Sequence, residues 1–231
     1  MKNHRIQTEQ NAKTIKGNHF GVKTGIVYLR PSSVFCGGMT KGCGAGCLFS
    51  AGRGAMNSVK QGRIRKTELF LRHRVMFMAS LDSEIANLRK RATKANMTSA
   101  VRLDGTSDTG MAEEVAPRHP ETVFYDYTKI VGRYESFLAG KLPANWHLTF
   151  SRSEDNASQC VDFLARGASV AAVFETVPQT YLGFPVINGD AHDIRFMDRE
   201  ISDLPKGGFW VGLRAKGKAK HDTTGFVIRE I

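Results

Sequence analysis

No unbroken apolar run in this chain of 231 residues reaches membrane-spanning length, so nothing in it asks for a bilayer. The first ten residues are polar and hold no apolar core of a secretion signal, which points to the cytoplasm. Cysteine is scarce, at four residues, too few for a disulfide scaffold in a chain of this length. Several catalytic signatures are also missing. Lys41 and Lys60 do not stand in a G-x4-G-K-[ST] context, which excludes a phosphate-binding P-loop. There is no H-E-x-x-H and no G-x-S-x-G, and the seven histidines form no paired His-x-His. Carboxylates at fixed spacing are lacking too, which makes a metal-dependent nuclease the weakest of the readings considered.

Positive charge is present in excess, with 33 Lys and Arg against 22 Asp and Glu, a net +11. Such an excess attracts polyanions, nucleic acid foremost. It is concentrated in residues 53–94 and 206–220, where Arg63, Arg65 and Lys66 on a predicted helix and Arg214, Lys216 and Lys218 on a predicted turn are candidate nucleic-acid contacts.

Three of the four cysteines, Cys36, Cys43 and Cys47, stand in a C-x6-C-x3-C spacing among glycines. Glycine lets a loop turn tightly enough to bring three sulfurs together. Three thiolates suit an iron–sulfur cluster, 4Fe–4S foremost, with one iron left open, or a zinc ion that takes a fourth ligand. Cys160 falls in a predicted helix beside Val161, Phe163 and Leu164 and reads as a core side chain.

Residues 1–18 read as a polar extension and 19–231 as a single α/β domain. Strands are expected at 25–30, 100–103, 122–127, 146–150 and 169–174, with helices over 55–95, 110–116, 130–138 and 156–167. Within the long helical stretch, Gly62 is a candidate break and Ser80–Ser83 a candidate restart. Further strands fall at 186–190, 209–213 and 225–229. Short strands alternating with helices predict a parallel sheet, arranged as a (β/α) barrel or partial barrel with the three-cysteine loop after its first strand; a doubly wound open sheet is the alternative.

In such sheets functional groups gather where strands end. The strand ends here deliver Asp104, Asp108, Glu154 and Asp190 as candidate catalytic groups. Thr106, Ser107, Lys129, Ser151, Arg152 and Glu175 become candidate contacts to cofactor or substrate. Arg102 and Asp126 lie inside otherwise apolar strands and need partners, most simply structural ones.

The cysteine segment running into Ala-Gly-Arg-Gly, with Val-Arg-Leu-Asp-Gly-Thr-Ser-Asp, Phe-Tyr-Asp-Tyr-Thr-Lys, His-Leu-Thr-Phe-Ser-Arg-Ser-Glu-Asp-Asn, Val-Ile-Asn-Gly-Asp and Gly-Leu-Arg-Ala-Lys-Gly, together resemble a phage- and plasmid-borne family known as gene product 88. That resemblance implies a mobile-element origin and a shared fold but no reaction. A more distant, topological likeness is to radical S-adenosylmethionine enzymes, which carry a three-cysteine loop after the first strand of a barrel. Their C-x3-C-x2-C spacing is replaced here by C-x6-C-x3-C, with Gly46 before the last cysteine. The likeness implies a cluster and S-adenosylmethionine as cofactors. Two functions are expected on these grounds: a cluster-bearing, radical-type enzyme acting on nucleic acid or nucleotides, or a nucleic-acid-binding accessory protein whose zinc or cluster is structural.

Overall fold

Segments rich in β-branched and aromatic residues form the strands, and their spacing sets the topology. The computed structural model describes residues 5–9 and 12–229. In chain order the elements are β1 (Ile6–Thr8), α1 (Ala12–Lys16), β2 (Val22–Val27), α2 (Lys41–Ala45), α3 (Asn57–Arg72) and α4 (Arg74–Lys94). They continue with β3 (Thr98–Arg102), α5 (Ala112–Val115), β4 (Val123–Thr128), α6 (Val131–Leu138), β5 (Trp146–Ser151) and α7 (Ala157–Ala165). The chain then runs through β6 (Ser169–Phe174), β7 (Thr180–Tyr181), β8 (Phe184–Asn188), α8 (Asp198–Ile201), β9 (Phe209–Arg214) and β10 (Val227–Ile228).

All ten strands join one sheet of order β1-β2-β3-β4-β5-β6-β9-β8-β7, with β10 added in parallel to β6. Pairing is parallel from β2 across to β8, and antiparallel only where β1 meets β2 and β7 meets β8. The first parallel strands follow one another in chain order, as in a barrel, but the sheet does not close. Closure would need β2 to meet β8. Instead β2 takes Ile6–Thr8 as its neighbour and β8 takes Thr180–Tyr181, so each outer parallel strand ends on a short antiparallel edge.

One face of the sheet carries the main core. Val101, Phe124, Leu148, Phe150 and Phe174 meet Tyr134 of α6, Phe163 and Leu164 of α7, and the buried stripe Phe77, Met78, Leu81, Ile85, Leu88 and Ala92 of α4. That stripe repeats at helical intervals, and burying each large member contributes about 1.5–3 kcal/mol. The opposite face is covered by the segment after β8: Ile194, Phe196, Met197 and Ile201 pack on Val22, Ala100 and Tyr125.

The long helical stretch breaks at neither expected place. Gly62 stays inside α3 facing open space, and the Ser83 hydroxyl donates back to the Ala79 carbonyl at 3.0 Å instead of capping a new helix. The break is at His73, whose φ of −138° and ψ of 51° separate α3 from α4. It allows Leu69 and Phe70 before it and Phe77 and Met78 after it to pack on the same core.

Period-two alternation also decides the in-strand charges. Arg102 and Asp126 do not pair with each other. Arg102 donates to Asp193 at 3.2 Å from the covering segment. Asp126 accepts from the Asp104 N–H at 2.7 Å and the Trp146 indole at 3.1 Å, and burial pushes its carboxyl well above the usual range.

Candidate functional site

Because the strands from β2 across to β8 run in parallel, their carboxyl ends lie along one edge, and the segments leaving them enclose a cleft of about 280 Å³. Cys36, Cys43 and Cys47 all line it. They reach it from three different local structures. Cys36 forms an isolated parallel bridge with Asp108, where the Asp108 N–H donates to the Phe35 carbonyl at 2.8 Å. Cys43 lies in α2, whose start is capped by the Thr40 hydroxyl accepting from the Cys43 N–H at 3.3 Å. Cys47 opens the 3-10 turn Leu48–Ser50.

Glu154, from the loop after β5, fixes this segment from behind. Its carboxylate accepts from the Thr40 hydroxyl at 2.8 Å and from the Gly42 N–H at 2.6 Å. Gly42 is buried against the chain's last described turn. A Cβ there would stand 2.1 Å from the Thr224 hydroxyl and 2.6 Å from the Phe226 Cβ, so only glycine lets α2 sit this close.

The thiols are partly buried and unbridged. Burial pushes the Cys36 thiol up to about 11, with repulsion from Asp108, Cys47 and Cys43 adding to it. Cys47 is raised by burial and by Cys43. Among the described residues no three His, Cys, Asp or Glu side chains converge closely enough to hold a single metal ion. The three sulfurs line one cleft but do not form such a group, so the expected meeting of the thiols at one point is not seen. Cys160 is fully buried in α7, its thiol against Asn156 and pushed up to about 12 by burial.

The strand-end candidates fall into two groups. Asp104, Thr106, Ser107, Asp108, Lys129, Ser151, Asp190, Arg214 and Lys216 line the cleft. Much of their capacity is spent locally. The Asp104 carboxylate accepts from Ser107 at 2.6 Å, Thr109 at 2.9 Å and the Gly110 N–H at 2.9 Å, closing the loop after β3. Thr106 donates to the Leu29 carbonyl at 2.6 Å. Asp108 pairs with Arg133 and accepts from the Lys129 N–H at 2.9 Å; burial, with Asp104 nearby, raises its carboxyl. Asp190 pairs with Lys216 and accepts from the Arg214 N–H at 3.1 Å.

The second group stands outside the cleft. Glu154 holds the cysteine segment, and Arg152 donates to the Gly225 and Phe226 carbonyls at 2.9 and 3.0 Å. Glu175 pairs with Arg229 on the surface. Arg63 is buried, lying over Tyr28 at 4.7 Å and Phe49 at 5.4 Å. Lys66 is buried too, donating to the Arg5 carbonyl at 3.4 Å and pushed down to about 8 by burial. Arg65 and Lys218 are exposed.

The cleft also contains residues that the sequence pattern did not single out for it. Lys13 and Lys16, three apart on α1, line it, as do Arg102 and His192; beside them is Asp193, which the strand-end rule does reach. Arg102 lies over the Tyr127 ring at 4.5 Å and pairs with Asp193 at 3.2 Å; Lys13 reaches the same carboxylate at 3.6 Å. Burial acts to raise Asp193, but Lys13 and Arg102 outweigh it and hold the carboxyl low. The signal for Arg102 was a charge inside an apolar strand; Lys13 and Lys16 carried only a spacing of three.

Fold and site together define an open, mostly parallel α/β protein with a thiol- and cation-lined cleft at the carboxyl ends of its strands. The gene product 88 family model matches residues 2–230, and the chain belongs to the gene product 88 family. No curated protein and no solved structure matches it. No helix among the described residues is long and apolar enough to cross a membrane.

Proposed function

We propose that this mobile-element protein binds an iron–sulfur cluster through Cys36, Cys43 and Cys47 and uses the cleft for radical-type chemistry on a nucleotide or nucleic acid. The observation that carries the reading is that three unbridged thiols line one cleft with Lys129, Ser151, Asp190 and Arg214 at the carboxyl edge of a parallel sheet. Cys36, Cys43 and Cys47 would hold the cluster, which would supply electron transfer to a molecule in the cleft, with S-adenosylmethionine as a candidate co-substrate. The chain's own residues do the rest: Glu154 and Gly42 position the cysteine segment, and the lysines and Arg214 draw in a negatively charged molecule. Thiols raised by burial ionise poorly alone, and a positively charged inorganic centre offsets that cost on loading.

A second reading, a nucleic-acid-binding accessory protein with a structural zinc or cluster, draws on exposed Arg65, Arg214, Lys216 and Lys218 and the net charge of +11. Anaerobic purification separates the two. A brown protein absorbing near roughly 400 nm, with the band lost in Cys36→Ala, Cys43→Ala and Cys47→Ala, supports the cluster. A colourless protein carrying one zinc per chain refutes the cluster and leaves the second reading.

A further inference from the structure

The charges around the cleft are unequally engaged. Six cations line it, Lys13, Lys16, Arg102, Lys129, Arg214 and Lys216, with four carboxylates, Asp104, Asp108, Asp190 and Asp193. Every one of those carboxylates already accepts hydrogen bonds or an ion pair from the protein. Of the cations, Lys13 and Arg102 share Asp193, and Lys216 takes Asp190. The other three have no carboxylate among the described residues. Lys16 donates to the Asp190 carbonyl and Lys129 to the Ser151 hydroxyl at 2.9 Å, while Arg214 bonds through its backbone N–H, its guanidinium finding no hydrogen-bond partner among the described residues. Arg102, only 6% exposed, also keeps an unpartnered Nε. A molecule entering the cleft meets spare donors and spent acceptors.

Size and lining narrow the class of molecule. At about 280 Å³ the cleft is near the lower end of the roughly 300–1,000 Å³ typical of small-molecule sites, too small for a duplex. Met39, Leu48, Leu213 and Phe226 give it an apolar side. Cations from α1, from the end of β4 and from the end of β9 exceed what one carboxylate neutralises, whereas a phosphate brings up to two charges and several acceptor oxygens.

We infer that the cleft binds a small organic phosphate of nucleotide size, its phosphate on Lys129, Arg214 and Lys16 and its body against Met39, Leu48 and Phe226. This takes its location from the reading above but needs no metal.

Calorimetric titration of the full chain, as purified and at low salt, tests it with adenosine 5′-monophosphate, adenosine, pyrophosphate and an unphosphorylated oligothymidylate of about a dozen nucleotides. The monophosphate is expected to bind at least about tenfold more tightly than adenosine. Lys129→Met and Arg214→Met should each weaken it by about tenfold or more, with the melting temperature and visible absorption unchanged. Equal binding of adenosine and the monophosphate overturns the inference, as does failure of both monophosphate and pyrophosphate to bind. Oligothymidylate binding that survives both substitutions, with no monophosphate binding, also overturns it and locates the anion site on the outer basic surface. Cluster absorbance is read separately, so loss of the metal reading and loss of the phosphate site are distinct results.

Discussion

Single side chains show where burial sets chemistry. His147 has a buried Nε2 without a hydrogen-bond partner, and burial with the nearby Arg195 charge lowers its pKa from 6.5 to about 4. His192 is lowered to about 4 for the same first reason. In both cases the unfolded chain takes up a proton as pH falls through 6.5, while the folded chain resists until about 4, so folding stability drains away across that window on acidification. Asp198 has the opposite sign. Burial raises it to about 7, so its folded form holds a proton that the unfolded form releases, and it costs stability as pH rises from 3.8 toward 7. Because these oppose each other, a paired comparison isolates one. In His147→Gln the fall in urea midpoint between pH 7 and pH 4.5 should be smaller than in the parent chain; an unchanged fall would mean that His147 is not held neutral. Charges such as Arg102 were visible in the sequence as anomalies, but their partners were not, since Asp193 lies far along the chain and only the fold brings it over the sheet.

Among elements, the strands were the legible part. Runs such as Trp146–Ser151 and Ser169–Phe174 carry enough β-branched and aromatic residues to declare themselves. Sheet closure was not legible, because it turns on two edge strands of three and two residues, Ile6–Thr8 and Thr180–Tyr181. Nor was the helix break at His73, since the apolar rhythm continues on both sides of it. The cysteine spacing disclosed which residues share a cleft but not what holds them there. That is a matter of α2 lying against the Thr224–Phe226 turn, which Gly42 alone permits. Gly42→Ala should therefore separate these elements. Overpacking of this kind typically costs about 1–3 kcal/mol. On the proposed metal-binding reading, iron or zinc content per chain should drop by more than half while far-ultraviolet circular dichroism stays as in the parent; full metal content would show that the contact does not position the cysteines.

For the whole molecule, the net charge of +11 makes a prediction that needs no occupant in the cleft. Arg63 and Lys66 are buried, so whatever polyanion affinity exists must come from exposed groups such as Arg65, Arg214, Lys216 and Lys218. Affinity for arbitrary DNA should fall steeply with salt, the logarithm of the binding constant declining by about 0.9 per phosphate neutralised. Lys218→Ala should reduce that slope by about one phosphate and Lys66→Ala should leave it unchanged. Filter binding across a salt series checks both, and a slope of zero would remove nucleic acid from the list of partners.

The cleft draws its walls from both extremes of the described chain, Lys13 and Lys16 on one side and Ala219 and Phe226 on the other. Strands β2 to β6 can accrete one after another in the order they are synthesised, but the chamber has no mouth until residues 215–228 dock. Any occupant thereby acts as a latch: by mass action it favours the docked state of that final segment and fastens the two ends of the protein across a sheet that never closes on itself.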